Sequence, residues 1–254
     1  MKKGIDVSTL QGNIDWSRVE TDFVMLKASQ GRGETKSTEG LRAFTDTRFQ
    51  RNADSALIRG IPFGCYHYLT AVDRAEALYE ADYFCEVIGS KKQVMKLWAA
   101  VDVESRYLDG LSKAELGEVV GTFIERVEQH GFRPMLYTNP NFIKYRFGEL
   151  PKVDIWLAHW NVSEPMKLER LKIWQYGLGN VEGVGKCDLN IGYFELEGES
   201  SGYSVGGMYT IKRGDVYSNG RAIPKRLVGT SFTIKLVRED KLLLGEINSW
   251  VRIK

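Results

Sequence analysis

The chain is poor in cysteine: among its 254 residues only Cys65, Cys85 and Cys187 carry thiols. Three is an odd number, the spacings are wide and no CxxC occurs. That argues against a disulfide framework and against a structural zinc site, and it fits synthesis in a reducing compartment. Long apolar runs are also lacking. No window holds the ~18 consecutive apolar residues that a membrane span needs, so no membrane insertion is expected. The basic start Met1-Lys2-Lys3 runs into Gly4-Ile5-Asp6 with no apolar segment behind it, which is not the pattern of a secretory signal. Metal-ligand spacing is missing too: no HxxxH pair exists, and His67 and His159 read as hydrogen-bonded structural residues. Neither a metal nor an organic cofactor is expected.

What is present is an ordinary globular balance, 43% hydrophobic and 27% charged, enough for a sizeable core. The net charge of +2 hides an asymmetry. Residues 207–254 hold ten Lys/Arg against four Asp/Glu, which is +6, and residues 1–206 hold twenty-five against twenty-nine, which is −4. A basic tail on a mildly acidic body points to an anionic partner for the tail.

Apolar runs recur at 4–8, 23–29, 62–68, 96–104, 133–138, 154–160, 172–176 and 187–191. Continuous runs of this kind suit strands buried on both faces of a sheet. Amphipathic segments lie between several of them. In 112–131 the residues Leu116, Val119, Val120, Phe123, Ile124 and Val127 follow a helical period. Ser112 with Glu115 forms a capping box there, and Gly131 is the stop. Segments 73–88 and 45–59 read as two further helices. Eight strands with intervening helices imply a (β/α) barrel. Between Trp174 and Asp188 there is room only for a hairpin-like return through several glycines, so the barrel should be irregular near its end.

Residues 1–196 form this expected domain. Residues 197–206, rich in Gly, Ser and acid, read as a linker. Residues 207–254 hold short β-prone runs at 208–211, 232–237, 242–247 and 250–253, with a turn at 218–220. They make a small all-β, SH3-like barrel.

In a (β/α) barrel the working side chains sit at the C-terminal ends of strands. The fourth run ends in Asp102-Val103-Glu104, and residues two apart on a strand share a face. Two carboxylates in one pocket repel, so one tends to keep its proton near neutral pH. A protonated acid beside an ionised one is what glycosidic cleavage requires. The other strand ends add Asp6, Lys27, Tyr66, Tyr68, Tyr137, Trp156, Trp160, Gln175 and Asp188. Aromatic rings with a few polar groups suit a sugar, whose C–H faces stack while its hydroxyls hydrogen-bond.

Eight motifs then carry a resemblance over roughly residues 1–195. They are GIDVSTLQGNIDW (4–16), FVMLKASQG (23–31), GCYHYL (64–69), AAVDVE (99–104), MLYTN (135–139), IWLAHW (155–160), IWQYG (173–177) and CDLNIG (187–192). In this order they resemble the glycoside hydrolase family 25 lysozymes, N-acetylmuramidases common among phage endolysins. The tail is similar to bacterial SH3-type wall-binding modules, on KLLLGEINSWVRI (241–253). One departure stands out: the family often has Glu where this chain has Gln30.

The resemblance implies a flattened, irregular (β/α) barrel. It implies cleavage of the β-1,4 bond between N-acetylmuramic acid and N-acetylglucosamine in peptidoglycan. Glu104 is then the general acid and Asp102 its anionic neighbour, which could orient the substrate's 2-acetamido group. Asp6 and Asp188 would activate water or support the transition state, and the sequence does not choose between these routes. Tyr66, Tyr68, Tyr137, Trp156, Trp160, Gln175 and Lys27 would line the sugar sites. The 207–254 module would bind anionic wall polymers or peptide stems, and nucleic acid is not an expected partner. The expected setting is a lysin made in the host cytoplasm that reaches the bacterial wall after release. A chitinase-like or glucosaminidase glycosidase and a non-catalytic wall-binding protein are the competing readings. The first usually carries a longer DxxDxDxE run than this chain has.

Overall fold

A computed structural model of the chain describes residues 1–31, 43–196, 203–238 and 241–253. It divides into two compact units, Met1–Phe194 and Glu195–Lys254. Residues 197–202 of the expected linker lie outside the described residues.

The first unit contains strands β1 (Lys2–Val7), β2 (Phe23–Gln30), β3 (Phe44–Thr45), β4 (Phe63–Tyr68), β5 (Ala99–Asp102), β6 (Pro134–Thr138), β7 (Asp154–Ala158), β8 (Leu171–Val181) and β9 (Gly185–Gly192). Helices α1 (Phe49–Ile58), α2 (Arg74–Gly89) and α3 (Lys113–Gln129) lie between them. The order β1-β9-β8-β7-β6-β5-β4-β2 closes on itself through a β1–β2 pairing, and β3 is added beside β2. This is a closed, eight-stranded barrel of mixed direction. Pairing is parallel from β1 through β2, β4, β5, β6 and β7 to β8. Strand β9 is antiparallel to both β8 and β1. The reason is chain length: three residues separate β8 from β9, enough for a hairpin but not for a parallel crossover.

Helix α3 buries the face its period predicts, from Leu116 through Val119, Val120, Phe123 and Ile124 to Val127. Ser112 and Glu115 form the reciprocal cap, and Gly131 takes φ of 73° just beyond the helix. Phe123 stacks on Phe84 of α2 at 6.0 Å between ring centroids. These fully buried aromatics seal the helical layer over the sheet, each worth about 1.5–3 kcal/mol of burial.

Three local expectations need correction. The third helix begins at Phe49, not at residue 45. Phe44 and Thr45 instead pair with Gln30 and Ser29 as β3, and Asp46 accepts from the Arg48 and Thr9 amides. The strand expected over 96–104 is confined to Ala99–Asp102, because the Lys96 and Leu97 amides both turn to the Phe63 carbonyl. Glu104 therefore lies beyond the strand. The last barrel strand runs against its neighbours, so Asp188 reaches the cleft from the first half of β9 and not from a C-terminal end.

The second unit is a five-stranded antiparallel sheet ordered β10 (Met208–Thr210), β12 (Ser231–Arg238), β13 (Lys241–Leu244), β14 (Ser249–Arg252) and β11 (Val216–Tyr217). Tyr209, Ile211, Phe232, Ile234, Leu242, Leu244 and Val251 form its core. At the expected 218–220 turn, Gly220 has φ of 82° and its amide donates to the Tyr217 carbonyl. The run expected to reach residue 247 ends at Leu244, because the Asn248 amide closes a turn onto Gly245. No helix among the described residues is long and apolar enough to cross a membrane.

Candidate active site

Strand register brings Asp6 and Asp188 face to face. They are direct cross-strand partners in the β1–β9 pair, so their side chains emerge on one face. Asp6 is 5% exposed. Its Oδ2 accepts from Asn190 Nδ2 at 2.8 Å and from Gln175 Nε2 at 3.0 Å. Burial, followed by the Asp188 charge, raises the Asp6 carboxyl from 3.8 to about 7, although the two amides pull it down. Burial also raises Asp188.

The amides are themselves held. Asn190 Oδ1 accepts from Trp156 Nε1 at 2.8 Å. Gln175 Oε1 accepts from Trp160 Nε1 at 3.0 Å and lies 3.2 Å from the Tyr137 hydroxyl. Each amide thus has its oxygen turned to donors and its nitrogen turned to Asp6, the orientation that an anionic acceptor selects.

Asp102 closes β5, between Tyr68 of β4 and Tyr137 of β6 in register. It is 6% exposed. Its Oδ1 is buried and has no hydrogen-bond partner among the described residues. A buried carboxylate oxygen without a donor favours the protonated form. Burial, and then the Glu104 charge, lifts Asp102 well above the usual carboxylate range, with Lys27 opposing.

Glu104 sits two residues past Asp102, exposed, in the segment that follows β5. The buried Val103 anchors that segment through its amide, 2.9 Å from the Tyr137 carbonyl. The Tyr137 hydroxyl lies 3.4 Å from Glu104 Oε2. Glu104 is raised first by loss of water and then by Asp188, while Tyr137 and Lys27 lower it. The sequence expectation made Asp102 the neighbour that lifts Glu104. Asp102 and Glu104 do repel each other, with burial the larger cause for both, and Asp188 adds a further push on Glu104.

All four acids line one cavity of about 220 Å³, shared with Lys27, Tyr66, Tyr68, Tyr137, Trp156 and Gln175. Trp156 is 1% exposed and meets Tyr66 and Tyr137 edge-on. It is therefore floor to the cavity and not an open stacking platform. Trp160 does not line the cavity and is tied to it through Gln175; the residue is 39% exposed. Other polar groups near strand ends face elsewhere. Ser29 Oγ meets His67 Nδ1 at 2.8 Å, and His67 Nε2 meets Glu80 Oε2 at 2.9 Å, all buried behind β2 and β4. His159 Nδ1 accepts from the Met166 amide.

The sequence reading missed the lip formed by Ser8, Leu10 and Gln11. Ser8 and Gln11 make a reciprocal cap around the short turn Thr9–Gln11, and Asp46 holds it by the Thr9 amide. The S-x-x-Q spacing of Ser8 and Gln11 was the available signal.

Several carboxyls with raised proton affinity, packed among hydrogen-bond donors and rings, can present an acid and a base on two sides of a small polar substrate. Comparison with known proteins agrees with this chemistry. Residues 5–184 match glycosyl hydrolases family 25. A Clostridium acetobutylicum protein named autolytic lysozyme is 30% identical over 214 residues, 84% of this chain and 60% of that protein. Lysozyme M1 of Streptomyces globisporus is 30% identical over 206 residues, 74% of this chain and 66% of its own length. The chain thus spans about two thirds or less of these curated relatives. A solved structure of a family 25 glycosyl hydrolase from Bacillus anthracis superposes with a TM-score of 0.63 at 25% identity, covering 80% of this chain and 93% of that one. With the match covering most of the chain and the barrel shared, this protein belongs to glycosyl hydrolase family 25.

Proposed function

We propose that the chain is a peptidoglycan hydrolase that cleaves the β-1,4 bond between N-acetylmuramic acid and N-acetylglucosamine. The observation that carries this reading is the single cavity in which Asp6, Asp102, Glu104 and Asp188 all have raised proton affinity. The family membership and the lysozyme names of the relatives support it.

In this proposal Glu104 is the general acid. It stands at the exposed side of the cavity, where a leaving glycosidic oxygen can reach it, and its proton affinity is raised by loss of water. Asp102 lies deeper, with an unpartnered oxygen. Its carboxyl, on the cavity wall, would meet the N–H of a 2-acetamido group and turn the acetamido oxygen toward the anomeric carbon. Asp6 and Asp188 face each other on β1 and β9. Carrying one proton between them, they supply negative charge to an oxocarbenium-like transition state. Tyr66, Tyr68 and Tyr137 with Gln175 surround the sugar, and Trp160 extends the contact outward. Protonation of the leaving group by such an acid is worth roughly 10²–10⁴-fold in rate.

The second unit is the proposed wall-binding part, an SH3-like module whose basic surface meets anionic wall polymers or peptide stems. Tethering of this kind raises the effective concentration of the enzyme on the polymer. Synthesis in a reducing cytoplasm followed by release to the wall, as for a phage endolysin, fits the three buried free thiols.

The test is the chemistry of the new reducing ends released from purified peptidoglycan. Muramic acid ends support the proposal. Glucosamine ends would replace it with a glucosaminidase or chitinase-like activity, and no ends would leave a binding protein.

A further inference from the structure

Lys27 is the one cation among the described residues that line the cavity, against four carboxylates. How it is held depends on an irregularity in β2. Along a regular strand, residues 27 and 30 fall on opposite faces, because side chains alternate. Here the β2–β4 register shifts between Lys27 and Ser29: Lys27 is opposite Tyr66, Ser29 opposite His67 and Gln30 opposite Tyr68. Ala28 is the extra residue of the bulge, and a bulge re-aims the side chains beyond it. Ser29 turns to the buried His67, with 2.8 Å between Oγ and Nδ1. Gln30 turns the other way and meets Lys27, whose Nζ donates to Gln30 Oε1 at 2.7 Å. The ammonium also lies 5.3 Å from the Tyr68 ring centroid.

The charged and titratable groups that face Lys27 come from three places. Asp102 ends β5 with Glu104 just beyond it, Asp46 lies between β3 and α1, and Tyr68 ends β4. None of the three carboxylates is within ion-pair distance of Nζ in the described residues, so the hydrogen-bonded partner of this cation is a neutral amide. We infer that Gln30 is a positioning residue of the proposed glycosidase site: its amide oxygen fixes the Lys27 ammonium beside Asp102 and Glu104 without cancelling its charge. The inference rests on the reading of the cavity as that site.

The neutrality of residue 30 matters because a cation beside a carboxyl makes it release its proton at lower pH. Lys27 acts in this direction on both Asp102 and Glu104. A carboxylate at position 30 would pair with Lys27, absorb its field and add a negative charge of its own. Both carboxyls would then hold their protons to higher pH.

The test is Gln30→Glu beside Gln30→Leu, which removes the acceptor and adds no charge. Two readouts are taken: the pH–rate profile of wall solubilisation, and the titration of the Asp102 and Glu104 carboxyl carbons by NMR. In Gln30→Glu both carboxyl midpoints and both limbs of the profile should move up by roughly half to one pH unit. In Gln30→Leu the rate should fall several-fold with a smaller displacement. Titrations of Gln30→Glu that overlay the wild type, or equal displacements in the two variants, would overturn the inference. If Gln30→Glu does not fold, Lys27→Met in the same titration decides: its carboxyl midpoints must rise. The NMR titration needs no substrate. A wild-type protein that released no reducing ends would therefore refute the hydrolase reading and leave the coupling of residues 27, 30, 102 and 104 to be decided separately.

Discussion

Replacing Asp6 by Asn should make the protein more stable and less active, with a gain that grows as pH rises. Asp6 is raised from 3.8 to about 7 in the folded chain. A group whose folded value lies above its unfolded value helps the fold fully below the unfolded value, and that help is lost as pH climbs through the folded one. For Asp6 the window runs from about pH 4 to about pH 7. At ~1.4 kcal/mol per pKa unit, ionising the folded Asp6 costs up to ~4 kcal/mol by pH 8. Part of that cost is repulsion from Asp188 and Glu104, which relaxes when those neighbours take up protons, so about 2–4 kcal/mol is the working figure.

An Asn side chain keeps the geometry, since its oxygen can accept from Asn190 and Gln175 as Asp6 Oδ2 does now. Only the charge is removed. Thermal unfolding of both proteins at pH 5 and pH 8 checks this. The variant should melt roughly 5–10 °C above the wild type at pH 8, given ~2–4 °C per kcal/mol for a unit of this size, and the gap should narrow at pH 5. A gap independent of pH, or a loss of stability at pH 8, would refute the account of Asp6 as a carboxyl strained by burial and like charge.

Glu104→Gln should lower release of reducing ends by ~10²–10⁴-fold with no loss of thermal stability, because it removes a charge that the folded cleft disfavours; turnover near wild type would remove Glu104 from the role of acid. Gly31→Ala should destabilise the first unit by about 2–3 kcal/mol, read by denaturant unfolding, since its Cβ would fall 2.1 Å from both Glu80 Oε1 and Thr70 Oγ1 inside the buried His67–Glu80 network. Deleting residues 207–254 should reduce sedimentation with purified walls by an order of magnitude or more while cleavage of soluble muropeptides persists; unchanged retention would take the wall-binding role from this unit.

Much of the architecture was legible in the chain. The α3 period, with Ser112, Glu115 and Gly131 as its punctuation, gave a helix that the structure places within two residues at either end. The glycine-rich return between Trp174 and Asp188 gave the β8–β9 hairpin. Asp6, Asp102, Glu104 and Asp188 could be gathered because the strands of a (β/α) barrel deliver their working side chains to one mouth. Other features were hidden for identifiable reasons. The β3 pairing is a two-residue contact with no pattern of its own. The β2 bulge at Ala28 leaves residues of ordinary strand type on both sides.

The sequence by itself determined the buried face and both ends of α3, the succession of barrel strands, and which side chains are able to do acid–base chemistry, because these follow from local propensity and from the apolar period. How strongly the cleft raises each carboxyl's hold on its proton was decided only by the tertiary structure. Proton affinity depends on water excluded and on charges brought near from distant positions. Asp6 meets Asp188 across a strand pair, Glu104 faces Asp188 over the cleft, and Asp102 is enclosed by strands on both sides. Those proximities are set by barrel closure and strand register, and neither is written in any short segment of the chain.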